Sequence, residues 1–197
     1  TKTIIQVYPD SQRFSVRMSG MPGIETYAAT FGRLIVAAAP RAGENIGPFN
    51  WGRVLKHEFA HVVNLTQTDG RVPRWLTEGL AVMTEQVDYR FEWVPPVMYQ
   101  RAMDGKLFKV AELNQVYARP KNPRDGEMAY MTGFWIARYL KATYGDGSID
   151  KLLVAYKNGD SDDDAFKQAT GQPLATVETA FAAWAKGQVD HCGYDKP

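Results

Sequence analysis

The most informative stretch of the sequence is His57-Glu58-Phe59-Ala60-His61, which fits the pattern H-E-x-x-H. Four residues span just over one turn of an α-helix, so both imidazoles project from one face at a spacing that suits a single ion. Glu58 lies at the edge of that face, where it can reach a metal-bound water without binding the metal. Zinc favours tetrahedral sites with imidazole and carboxylate ligands and keeps one position for water when it is catalytic. The alternative is two histidines and a glutamate on a solvated helix face.

A second stretch, Pro73-Arg74-Trp75-Leu76-Thr77-Glu78-Gly79-Leu80-Ala81, supplies a third candidate ligand. It follows a break at residues 68–70, so we predict that Glu78 lies on a returning helix and completes a site with the two histidines. Gly79 and Ala81 are small, so we predict that this helix approaches the first helix closely. Trp75 is predicted to wall the site against water. Taken alone, Glu78 also fits a surface carboxylate.

Together the two stretches resemble the gluzincin zinc metallopeptidases, a superfamily that includes thermolysin and the aminopeptidase N branch, and in particular the peptidase MA-like domains of bacterial proteins. The resemblance rests on His57-Glu58-x-x-His61 followed by Trp75-Leu76-x-Glu78-Gly79-x-Ala81, and it is strong over residues 50–86. It implies a zincin-like fold with an active-site HExxH helix. It also implies a Zn²⁺ cofactor held by His57, His61 and Glu78, and a peptide or protein substrate.

Two further residues are candidates for the site. Tyr130-Met131-Thr132-Gly133 resembles the Tyr-x-x-Gly of the aminopeptidase N branch, in which the tyrosine donates a hydrogen bond to the oxyanion. A buried aromatic residue on an amphipathic helix is the other interpretation of Tyr130. Glu85 lies seven residues after Glu78 on the same helical face, so it is a candidate to orient a ligand imidazole. A solvated glutamate is the alternative there.

Hydrophobic patterning predicts an α+β architecture in one domain, residues 1–197, with a small N-terminal sheet followed by a mainly helical lobe. Its parts are a β-rich segment over 1–49, the metal-binding helices over 50–86 and the helical lobe over 87–197. Strands are predicted at Ile4–Tyr8, Phe14–Met18 and Arg33–Ala39. Helices are predicted over about 50–66 with Asn50 as N-cap, 73–86, a short segment after Pro96, 127–144, and near 148–158, 162–170 and 174–187.

Composition excludes several classes of partner. Lys and Arg number 23 against 22 Asp and Glu, which leaves a formal charge of +1 and offers no electrostatic footprint for nucleic acid. No apolar run approaches the length of a transmembrane segment, and the N-terminus does not fit a signal peptide. The single cysteine, Cys192, excludes an internal disulfide. Composition leaves the compartment and oligomeric state open, and the resemblance favours a secreted or periplasmic location.

These observations predict a zinc-dependent hydrolase, with a peptide as the substrate that the resemblance implies. Glu58 would take a proton from the zinc-bound water and pass it to the leaving amine. If the strand Arg33–Ala39 forms the sheet edge over the cleft, it would align an extended peptide. Two alternatives stay open. One is a zincin-fold interaction or scaffold domain of a larger bacterial protein with little turnover, and the other is a hydrolase for a non-peptide bond.

Overall fold

The computed structural model describes residues 2–23, 26–39, 50–85 and 96–190. Within these ranges it confirms the predicted α+β architecture, with a small N-terminal sheet followed by a mainly helical part. The helices in these ranges are all too short or too polar to cross a membrane. Cys192 lies outside the described residues.

The sheet has three strands among the described residues, β1 (Ile4–Tyr8), β2 (Ala28–Phe31) and β3 (Leu34–Ala38). Their order is β1-β3-β2, with β1 parallel and β2 antiparallel to β3. β1 and β3 confirm two predicted strands, whereas sequence analysis does not predict β2. Because β3 lies between β1 and β2, Arg33–Ala39 does not form the sheet edge, so the condition for its predicted role in aligning a peptide is not met. The edge strand beside the helices is β2.

The stretch Phe14–Met18 is predicted as a strand, and that prediction is also wrong, because it lies in helix α1 (Ser11–Ser19). Asp10 caps the helix by accepting a backbone N–H of the first turn at 2.7 Å, and Gly20 ends it with φ at +77°. Phe14 and Met18 are four residues apart, so both lie on one face of the helix and pack against the sheet. A connection between parallel strands needs a crossover of this kind, which short-range alternation does not reveal.

The helical part of the described chain is built from eight helices. They are α2 (Trp51–Gln67), α3 (Arg74–Thr84), α4 (Pro96–Met103), α5 (Val110–Ala118), α6 (Pro123–Tyr144), α7 (Gly147–Asn158), α8 (Asp162–Thr170) and α9 (Leu174–Val189). All but α5 confirm predicted helices. Asn50 caps α2 as predicted, with its side chain accepting the backbone N–H of Arg53 at 3.1 Å. Helix α6 begins four residues earlier than predicted because Asn122 and Asp125 form a capping box.

Helix α3 packs against α6 at a glycine contact. A Cβ atom added to Gly79 would lie 2.5 Å from the carbonyl oxygen of Gly133, so the backbones of the two helices touch. The close approach predicted for Gly79 is therefore real, but its partner is α6 and not α2. Trp75 does not wall the site as predicted. It is fully buried in the core, with its ring centroid 5.8 Å from that of Phe166. These contacts hold the side of α3 that packs against α6 and the core. Glu78 on the same helix faces α2.

Candidate metal centre

Three side chains from two helices converge at one point of the cleft between the sheet and the helices. His57 and His61 project from α2, and Glu78 projects from α3. The Oε2 atom of Glu78 lies 3.4 Å from Nε2 of His57 and 3.3 Å from Nε2 of His61. All three candidate ligand atoms lie within 4.8 Å of one another. The structure thus brings together the three residues predicted as ligands, and this cluster could hold a metal ion.

Each imidazole is oriented through its other nitrogen. Nδ1 of His57 lies 2.7 Å from Oε1 of Glu85, and Nδ1 of His61 lies 2.8 Å from Oγ1 of Thr77. A carboxylate can only accept, so Nδ1 of His57 donates, and in the neutral imidazole Nε2 is the nitrogen whose lone pair can bind a metal. Such outer partners hold ligand imidazoles in their tautomer and raise their basicity. Glu85 therefore lies where sequence analysis predicts, whereas Thr77 is a partner that the sequence did not single out.

Arg53 extends this network by one residue. Its guanidinium pairs with Oε2 of Glu85, the oxygen that His57 leaves free. The pairing of Arg53 with Glu85 is not predicted from the sequence, although the spacing of Arg53 from the histidines indicates it. Arg53 lies four residues before His57 and eight before His61, so a single face of α2 carries all three.

The cluster meets the chemical requirements of zinc. Oε2 of Glu78 is buried and has no hydrogen-bond donor among the described residues, which is costly for a carboxylate oxygen. A tetrahedral zinc centre with ligands at about 2.0–2.1 Å has ligand–ligand distances of about 3.3–3.4 Å, which agrees with the distances from Oε2 to the two Nε2 atoms. Two imidazoles and a carboxylate are also the ligand set of several catalytic zinc sites. The residues present fit the ion.

Charge at the cluster is strongly coupled in the metal-free protein. Burial alone would lower the pKa of His57, but the carboxylates of Glu78 and Glu85 beside it outweigh burial and raise that pKa to about 9. Burial likewise opposes ionisation of Glu78, yet the imidazoles of His57 and His61 hold the pKa of this carboxyl well below its usual range. A cation is therefore favoured at this point of the cleft, whether it is a proton or a metal ion.

Glu58 lies beside the cluster and is held by the sheet. Its side chain is 7% exposed, and the hydroxyl of Thr30 donates to its Oε2 at 2.6 Å. Thr30 is on β2, and its hydroxyl also lies 3.0 Å from the main-chain carbonyl oxygen of Glu58. Glu58 is thus fixed by a strand that sequence analysis does not predict. It makes no pair with the candidate ligands and is free to act on a molecule in the cleft.

Comparison with known protein families agrees with this arrangement. The family model of the Peptidase MA superfamily matches residues 40–187. The chain belongs to this superfamily. A search of curated proteins found no match. The matched span holds all three candidate ligands together with Glu58 and Glu85, whereas β2, which holds Glu58 through Thr30, precedes it.

The cleft of this Peptidase MA chain has a volume of about 860 Å³. Among the described residues, its lining comes mainly from β2, α2 and α3, together with Tyr130 of α6. Tyr130 is partly buried, and burial followed by the nearby charge of Glu78 raises its pKa to about 12. The phenol of the metal-free protein therefore stays protonated at neutral pH. Tyr130 lines the same cleft as the three candidate ligands, and its oxyanion role stays a prediction.

Proposed function

We propose that this chain is a zinc-dependent peptidase of the gluzincin type with a zincin-like fold, in which His57, His61 and Glu78 hold the ion. One observation carries the proposal: Oε2 of Glu78 is buried, lacks a donor among the described residues and faces the Nε2 atoms of both histidines. Membership of the Peptidase MA superfamily supports the reaction class and a peptide or protein as the substrate. A secreted or periplasmic location stays a prediction.

The chain's own residues supply most of the parts of a hydrolytic site. Zinc, when bound, supplies a Lewis acid that lowers the pKa of water and polarises a carbonyl group. Glu58, held by Thr30, accepts the proton of the attacking water and passes it to the leaving amine. The hydroxyl of Tyr130 donates to the oxygen on which negative charge develops. Neither step requires Glu58 or Tyr130 to bind the metal.

Strand β2 is the part of the sheet that would align the substrate. It is an edge strand, paired with β3 on one side only in the described residues. Residues Ala28–Phe31 of this strand line the cleft, and Thr30 among them contacts Glu58. An extended peptide could add to such an edge through main-chain hydrogen bonds, which brings a peptide bond towards the metal cluster. The role that sequence analysis gives to Arg33–Ala39 is therefore transferred to β2.

The first experiment is elemental analysis of the purified wild type and the His61→Ala variant. We expect about one zinc per chain in the wild type and a loss of zinc in the variant. Wild-type protein that stays empty after incubation with zinc would overturn the proposal. A peptide-library cleavage screen then tests the reaction class.

Glu58→Gln separates a peptidase from a scaffold domain in that screen. The variant keeps the hydrogen bond from Thr30 but cannot take a proton, so we expect cleavage to be lost while zinc is retained. Glu127→Gln is the matched control, because Glu127 is exposed on α6 and takes no part in the site. Wild-type protein that binds zinc but cleaves no peptide would favour the interaction domain or a hydrolase for another bond.

A further inference from the structure

The two oxygens of the Glu78 carboxylate have different surroundings. Oε2 faces the two imidazoles, as described above. Oε1 lies 3.3 Å from Nε of Arg74, which precedes Glu78 by one helical turn on α3. The arginine therefore contacts the oxygen that the metal cluster does not use. Nothing in the H-E-x-x-H pattern or in the third-ligand motif requires an arginine at this position.

Arg74 is itself held in place by two aromatic residues. Its guanidinium carbon lies 5.3 Å from the ring centroid of Tyr117, a cation–π contact. The Tyr117 hydroxyl donates to the carbonyl oxygen of Ala129 at 2.9 Å, and its ring meets that of Tyr130 edge to face at 5.1 Å. The charge of Arg74 also lies close enough to the Tyr130 hydroxyl to favour its ionised form, in the sense that it opposes the rise in the pKa of Tyr130. One guanidinium thus joins the candidate ligand Glu78 to the candidate oxyanion donor.

We propose that Arg74 is a positioning residue that holds Oε1 of Glu78, so that Oε2 alone faces the ion site, and that it fixes Tyr130 relative to this carboxylate. The terminal torsion of a glutamate is broad, so an unrestrained carboxylate can present either oxygen, or both, to the imidazoles. A guanidinium suits this task because its planar fork bonds two partners in fixed directions, whereas a lysine ammonium is a point charge. The inference rests on the proposed metal site and does not need peptidase activity.

The proposal predicts that loss of Arg74 weakens zinc binding, whereas loss of its charge alone would strengthen zinc binding. Arg74 is a cation beside a site for a divalent cation, so removing its charge alone would tighten zinc binding. Losing an outer partner that orients a ligand weakens binding, typically by about 10–100-fold. We therefore expect Arg74→Met to weaken zinc binding by about 10-fold or more. Arg74→Lys keeps the charge but not the fork, and we expect an intermediate affinity.

The test measures the zinc dissociation constant of each variant by competition with a chelator. It also records the visible absorption of the cobalt-substituted protein, which responds to the number and arrangement of ligands. We expect the Arg74→Met spectrum to differ from that of the wild type and the Arg74→Lys spectrum to be closer to it. Arg71→Met is the matched control, because Arg71 donates to the carbonyl oxygen of Lys157 and lies outside the cleft lining. It should leave both readouts unchanged.

The outcomes separate this inference from the proposed function. Wild type that binds zinc, together with an Arg74→Met variant of equal or tighter affinity and unchanged spectrum, would overturn the role of Arg74 and leave the metal site standing. Wild type that binds no zinc would overturn both. The Arg74 side chain is about half exposed, 50%, so we expect its loss to leave the fold intact, and thermal unfolding of the metal-free protein checks this. If Arg74→Met does not fold, the affinity and spectrum of Arg74→Lys decide.

Discussion

Nδ1 of His57 lies 2.7 Å from Oε1 of Glu85, and the other oxygen of that carboxylate pairs with Arg53. The carboxylate of Glu85 therefore holds the imidazole at its outer nitrogen, and the guanidinium of Arg53 in turn holds that carboxylate. Glu85 comes directly after α3, the helix that also carries Glu78. Helix α3 and the residue that caps its C-terminus thus provide one candidate ligand and the residue that orients another.

Glu85→Ala tests this relationship. The variant leaves Nδ1 of His57 without its carboxylate partner, so we expect zinc affinity to fall by about 10–100-fold. Glu85→Gln can still accept the hydrogen bond but carries no charge, and its loss should be smaller. Chelator competition measures both, with the exposed Glu127→Ala as control. Wild-type affinity in Glu85→Ala would mean that His57 is oriented without this carboxylate.

Thr77→Val applies the same reasoning to the second imidazole. Oγ1 of Thr77 lies 2.8 Å from Nδ1 of His61, and valine replaces this acceptor with a methyl group of similar shape. A neutral partner contributes less than a carboxylate, so we expect a decrease in zinc affinity smaller than that of Glu85→Ala. Thr77→Ser retains the hydroxyl and should restore most of the affinity. A serine variant no better than the valine variant would contradict the hydrogen-bond explanation.

The pH dependence of zinc binding follows from the raised pKa of His57. In the metal-free protein that pKa is about 9, because the nearby carboxylates of Glu78 and Glu85 outweigh burial. Below pH 9 the ion must displace this proton, so zinc affinity should fall about tenfold for each unit by which the pH is lowered. Above pH 9 this dependence should end. At pH 7 binding should release about one proton from His57, which calorimetry in buffers of different ionisation enthalpy measures. Equal affinity at pH 7 and pH 8 would contradict the prediction.

Local pattern predicts the ligands but not all of their surroundings. His57, His61, Glu78 and Glu85 lie on two consecutive helices, and helical periodicity alone places each on the correct face. Thr30 and Tyr117 reach the site from β2 and α5, which sequence analysis does not predict. Neither β2 nor α5 exceeds nine residues, and their roles depend on contacts with residues distant in the chain. Such contacts depend on tertiary packing, and the hydrophobic periodicity of the sequence does not indicate them.

Tyr130→Phe tests the proposed oxyanion donor. The hydroxyl is the only part removed, so we expect zinc content to be unchanged and kcat to fall by about 100-fold, with a smaller change in KM. Tyr144→Phe, at the far end of α6, is the control. Unchanged kcat in Tyr130→Phe would leave this residue a structural aromatic, the other interpretation of its sequence.

Gly79→Ala tests how the position of Glu78 is fixed. A Cβ atom at residue 79 would lie 2.5 Å from the carbonyl oxygen of Gly133, and backbone cannot move aside as a flexible side chain can. We expect a loss of stability of about 1–3 kcal/mol from overpacking, together with weaker zinc binding because α3 must shift with its ligand. Gly126→Ala is the matched control, since it lies in α6 with no atom within 4 Å of the added Cβ, and it should be neutral or slightly stabilising. Denaturant unfolding and chelator competition measure the two effects. Reduced stability with unchanged zinc affinity would show that α3 yields at this contact without displacing Glu78.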